Sequence, residues 1–82
     1  MSNASKLNEN QAFAARLRQA LKWAGMWPSP ALLANEFNLR YWGKSITANT
    51  ARNWLLGQFI PMQDKLRVLS EWLHVVDGIV QT

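Results

Sequence analysis

Between Thr47 and Asn53 the chain reads Thr-Ala-Asn-Thr-Ala-Arg-Asn, a run rich in directional hydrogen-bonding side chains. Arg52 presents a planar fork of donors that matches the paired acceptors of a guanine edge. Asn49 and Asn53 each offer a donor and an acceptor, the pair needed to engage adenine. Upstream, Arg40 and Lys44 are cations suited to phosphate. Ser29, with the free amides of the helix it would cap, forms a neutral phosphate clamp. These residue types support non-covalent recognition of a polyanion that carries information in its edges.

Bond-making chemistry is harder to assemble. The single histidine, His74, falls at the end of a helical pattern, where it complements free carbonyls and has no partners for a nucleophile–base set. The carboxylates Glu9, Glu36, Asp64, Glu71 and Asp77 are dispersed over helix ends and solvated faces. There is no glycine-rich phosphate loop and no metal-ligand spacing, and the absence of cysteine removes thiolate and disulfide chemistry. The expectation is a protein that is not an enzyme, with no metal and no small-molecule cofactor.

Nine Lys and Arg against five Asp and Glu give a net charge of +4 and a pI near 10.2, a balance that favours polyanionic partners. Hydrophobic residues make up 49% and charged residues 17%, a globular composition. No apolar run approaches the roughly 18 residues that cross a bilayer, and nothing at the N-terminus reads as an export signal, so no membrane partner is expected and the cytoplasm is the expected compartment. At 82 residues the chain holds one domain, and one this small buries only around 60% of its unfolded surface.

The elements that must position the polar run are helical. Residues 1–8 are polar and expected to be a disordered or tag-derived N-terminus. From Glu9 to Ala24, Phe13, Leu17, Ala20, Leu21 and Ala24 keep a helical period, with Glu9 and Lys22 complementing the dipole and Gly25 as the stop. Ser29-Pro30 opens a second helix as N-cap and first helical residue, with Ala31, Leu32, Leu33, Ala34 and Phe37 facing inward. Thr47 caps a third helix, Ala48–Leu56, which buries Ala51, Trp54 and Leu55 and turns Ala48, Asn49, Arg52 and Asn53 outward. Gly57 ends it in a left-handed cap and Pro61 restarts the chain. A fourth helix from Pro61 or Met62 to His74 buries Leu66, Leu69, Trp72 and Leu73, with Lys65 and Arg67 facing outward. Residues 76–82 form a C-terminal tail or short fifth helix. Of the five tryptophans, Trp54 and Trp72 lie on core stripes, while Trp23, Trp27 and Trp42 sit near turns where large rings close a small core. That distribution argues against a stacking platform for single strands.

The run Thr47-x-x-x-Ala51-x-x-Trp54-x-x-Gly57-x-x-x-Pro61-x-x-x-x-Leu66-x-x-Leu69 resembles the second half of a helix-turn-helix domain of the lambda-repressor/Cro (XRE-like) family. With flanking helices the resemblance covers about Ala12 to Val75. It implies an all-α lambda-repressor-like domain of four to five helices spanning residues 9–75. It further implies sequence-specific binding of double-stranded DNA by a transcriptional regulator of bacterial or phage type. Carried across position by position, it makes Thr47, Ala48, Asn49, Arg52 and Asn53 base-facing, with Ser29, Arg40 and Lys44 on phosphate. Ala34 matches the small residue such domains use where the two motif helices approach; it is also simply a good helix former.

The sequence departs from the pattern in one place. Such motifs join their helices by a turn of about 3–4 residues, whereas Asn38 to Ser45 separates Phe37 from Ile46. Gly43 marks a bend there, and Tyr41 and Trp42 give the loop apolar surface to pack on the domain. The loop reads either as a wing touching the phosphate strand or as a pinned insertion kept soluble by Arg40 and Lys44. Homodimers are common in the family, but no dimerisation segment stands out. A rival reading is a protein-interaction module, an antitoxin or phage adaptor on the same scaffold. Exposure of Trp27, Trp42 and Ile79-Val80 as one patch would favour it; a basic stripe aligned with Asn49 and Arg52 would favour DNA.

Overall fold

The computed structural model describes residues 2–73, with side-chain surroundings from Asn8 onward. Among the described residues there are four α-helices and no strand: α1 (Ser2–Trp23), α2 (Pro30–Arg40), α3 (Ala48–Leu56) and α4 (Gln63–Leu73). The protein is all-α. His74, Asp77-Gly78, Ile79-Val80 and the proposed tail or fifth helix lie outside the described residues.

Helix α1 buries Phe13, Ala14, Leu17, Ala20 and Leu21 along one stripe, as the period predicts. It starts at Ser2, well ahead of the expected Glu9, so its first turn holds no acid and Glu9 lies too far along to meet the dipole. Its end follows the glycine signal. Gly25 adopts φ 78°, and the Met26 N–H returns to the Leu21 carbonyl at 2.8 Å, the wrap-around bond of a left-handed cap. Ala24, expected on the buried stripe, is exposed in that turn.

Helix α2 opens with the Ser29 hydroxyl accepting from Leu32 N–H at 3.4 Å and with Pro30 in the first turn. Its inward face is narrower than predicted: Leu33, Ala34 and Phe37 are buried, Leu32 is half-buried and Ala31 exposed. The helix also runs past Phe37 to Arg40, so the connection to α3 is Tyr41 to Thr47. Asn38 is tolerated inside a helix because its amide bonds to a distant segment instead of competing for its own backbone.

Helix α3 has the predicted bounds. Thr47 Oγ1 accepts from Thr50 N–H at 3.1 Å, and Gly57, at φ 77°, donates to the carbonyls of Asn53 and Trp54. Helix α4 begins two residues after Pro61, with the Met62 carbonyl receiving Lys65 and Leu66 N–H at 3.0 and 2.8 Å. Leu66, Leu69 and Leu73 are buried, whereas Trp72 is only half-buried and packs on the edge of the core.

The core sits where α2 and α3 share their extensive interface and α1 closes it. Trp54 lies in it at 1% exposure, with the Phe37 ring meeting it edge-on at 5.4 Å between centroids. Ala34 and Ala51 are both buried there. The expectation that Trp23, Trp27 and Trp42 close this core is overturned: they are 81%, 78% and 99% exposed. The reason is competition for volume. Met26 and Tyr41 pack against the core where Trp27 and Trp42, one residue on in non-helical backbone, face solvent.

Candidate nucleic-acid interface

On α3, Thr47, Ala48, Asn49 and Arg52 are exposed and Asn53 is half-buried. The pairs 48/52 and 49/53 are helical neighbours, so these residues form one continuous surface. Thr47 spends its hydroxyl on the cap. The side chains of Asn49, Arg52 and Asn53 have no hydrogen-bond or ion-pair partner among the described residues.

Both ends of this helix are held by side chains from elsewhere. At its start, Asn38 grips Ile46 twice, donating from Nδ2 to the carbonyl at 3.0 Å and accepting its N–H on Oδ1 at 2.9 Å. Ile46 is buried, so the residue just before the cap is locked. Tyr41 anchors the far side of the loop: its ring lies 5.1 Å from Phe37, its hydroxyl donates to Asp64 Oδ2, and Lys65 Nζ sits 5.2 Å above the ring. Gly43 is required because Tyr41 folds back over it; a Cβ there would stand 2.6 Å from the tyrosine oxygen. The hydrogen bond from Tyr41, helped by the Lys65 amide and ammonium, holds the Asp64 carboxyl below its ordinary range, and the same bond raises the Tyr41 phenol.

At the end of α3, α1 supplies the missing donors. Arg18 Nη1 reaches the Leu55 carbonyl at 2.7 Å, Gln11 Nε2 the Leu56 carbonyl at 3.1 Å, and Asn10 Nδ2 the Gln58 carbonyl at 3.2 Å. These satisfy acceptors that a helix terminus leaves open. Sequence reading missed Asn10, Gln11, Arg18 and Asn38 as positioning residues. Asn38 reads along the chain as the start of the loop, and nothing in the sequence marks any of the four.

The phosphate candidates divide. Lys44 is exposed and unpaired among the described residues. Ser29 is half-buried, its hydroxyl engaged with Leu32 N–H. Arg40 is corrected. Its guanidinium bonds to the Glu36 carboxylate at 2.9 Å and carbonyl at 2.7 Å, and lies 4.4 Å from the Trp72 ring centroid. It ties α2 to α4. Tyr41 packs as the loop reading expected; Trp42 does not.

From Phe37 to Gln63 the chain carries Arg40, Lys44 and Arg52 and no carboxylate. The acids that bracket this stretch, Glu36 and Asp64, are engaged by Arg40 and Tyr41. The stretch of chain that carries the α3 face therefore bears only positive charges. Among the described residues no cluster of three or more metal-ligating side chains occurs, and no helix is long and apolar enough to cross a membrane. Comparison with protein-family models, curated proteins and solved structures returns no match.

Proposed function

We propose that this chain is a lambda-repressor/Cro-like helix-turn-helix domain that binds double-stranded DNA in a sequence-specific manner, as a cytoplasmic transcriptional regulator of bacterial or phage type. One observation carries the reading: α3 turns Asn49, Arg52 and Asn53 outward, unpartnered among the described residues, in a stretch without carboxylates. In the major groove Arg52 takes a guanine edge and Asn49 or Asn53 an adenine edge, with Thr47 and Ala48 close to the base pairs. Lys44 and the amides at the start of α2 beside Ser29 take phosphates. The reading requires no cofactor and no catalytic group, and a homodimer on two half-sites fits it.

Selection from a random duplex library tests it. A preferred site should emerge, and Arg52→Ala should lose roughly 1–3 kcal/mol of discrimination at one base pair. A library that returns no preferred duplex removes the proposal, and an unchanged preference in the variant removes Arg52 from base reading.

Of the patch that would favour a second reading, a protein-interaction module on the same scaffold, Trp27 and Trp42 are exposed and Ile79-Val80 lie outside the described residues. Binding that survives Arg52→Ala but is lost with both of these tryptophans would select it.

A further inference from the structure

Trp42 is the most exposed large apolar side chain of the described residues, at 99%. It is nevertheless held in a tightly anchored loop. Its neighbour Tyr41 is fixed to Phe37 and Asp64, and Ile46 is gripped at two points by Asn38. The backbone on both sides is thus clamped while the indole projects. With the backbone already fixed, only the two side-chain torsions of Trp42 remain to be ordered when the ring meets a partner.

Charge decides what that partner is. The loop's one charge is Lys44, exposed two residues from the ring, and the loop continues into the carboxylate-free α3. Trp42 stands five positions before Thr47, so its Cα lies within about 18 Å of the start of the α3 face. That is about half of the roughly 34 Å turn of a duplex. A surface of one cation beside an unpaired aromatic suits a polyanion with stacked faces inside it.

We infer that Trp42 is a wedge that stacks on, and partly unstacks, a base step of duplex DNA flanking the α3 contact, with Lys44 on an adjoining phosphate. The inference rests on the DNA reading of α3. Apolar side chains wedged between base steps kink the duplex, and aromatic rings stack on any base, so Trp42 adds affinity and bending with little base preference of its own.

The test uses the full chain and the duplex recovered by selection, labelled at both ends so that energy transfer reports bending. Trp42→Ala should weaken binding about fivefold to a hundredfold and straighten the duplex, and Trp42→Phe should recover part of both effects. The melting temperature of Trp42→Ala should match the parent, because none of the described residues packs on the ring. Arg52→Ala should alter base preference and leave the bend. The wedge is overturned if Trp42→Ala binds and bends as the parent does while Arg52→Ala still shifts preference, an outcome that leaves the α3 reading standing. It is also overturned if the ring instead drives self-association without DNA. If the parent selects no duplex, both proposals fall together.

Discussion

A tryptophan stands just ahead of the glycine that ends α1, and another just ahead of the glycine that ends α3. Trp23 stands two residues before Gly25 and Trp54 three before Gly57, and both glycines adopt left-handed backbone at φ 78° and 77°. The surroundings are opposite. A Cβ at position 25 would meet nothing within 4 Å, whereas one at 57 would stand 2.6 Å from Gln11 Nε2 and 3.2 Å from the Asn10 carbonyl. The end of α1 is a stop, with its tryptophan in solvent. The end of α3 is a joint, with its tryptophan in the core and three α1 side chains closing its carbonyls. An identical cap thus ends one helix and orients another.

The sharpest break of that comparison is between the tryptophans. Trp54→Ala should cost about 3–5 kcal/mol in urea unfolding, much of a small domain's stability, while Trp23→Ala stays within about 0.5 kcal/mol. Equal losses would mean that the α1 end is also part of the core. The glycines come next. Gly25→Ala meets only backbone strain, about 1 kcal/mol. Gly57→Ala adds collision with the Asn10 carbonyl and displacement of Gln11 from Leu56, for about 2–3 kcal/mol. A smaller effect tests the joint itself: Arg18→Ala should lose about 1 kcal/mol by leaving the Leu55 carbonyl without its donor. If the joint orients the reading helix, the same variant should also blur the preferred site in duplex selection.

The smallest effect concerns the opposite end of α3, where the Tyr41–Asp64 bond anchors the loop. Because the folded Asp64 titrates below its ordinary value, its contribution is present above the ordinary aspartate range and is lost as pH falls through the folded value. Tyr41 is raised, so its contribution is full below the ordinary tyrosine range and lost as pH rises through the folded value. Urea midpoints of Tyr41→Phe should show a flatter acid limb than the parent. Parallel limbs would show that this bond does not hold the start of α3.

Much of the fold was legible because its signals are local. Ser29-Pro30, Thr47 and Gly57 cap helices through bonds that span a few residues, and the stripes of α1 and α4 follow from the helical period. The face of Asn49, Arg52 and Asn53 was legible for the same reason, since Trp54 and Leu55 define the buried side of so short a helix. Arg40 and Trp42 were not. A free cation and one paired with Glu36 over Trp72 look alike along the chain, and so do a ring that fills a core and one displaced from it.

The sequence by itself determined where α3 begins and ends and which of its faces is polar, because capping and periodicity act within a turn or two. Only the tertiary structure decided that Tyr41 and Met26 turn inward while Trp42 and Trp27 turn out, that Asn38 locks the entry to α3, and that α1 locks its exit. Those outcomes depend on volume left over after distant segments pack, and on hydrogen bonds between residues as far apart as Asn10 and Gln58. No local propensity encodes either.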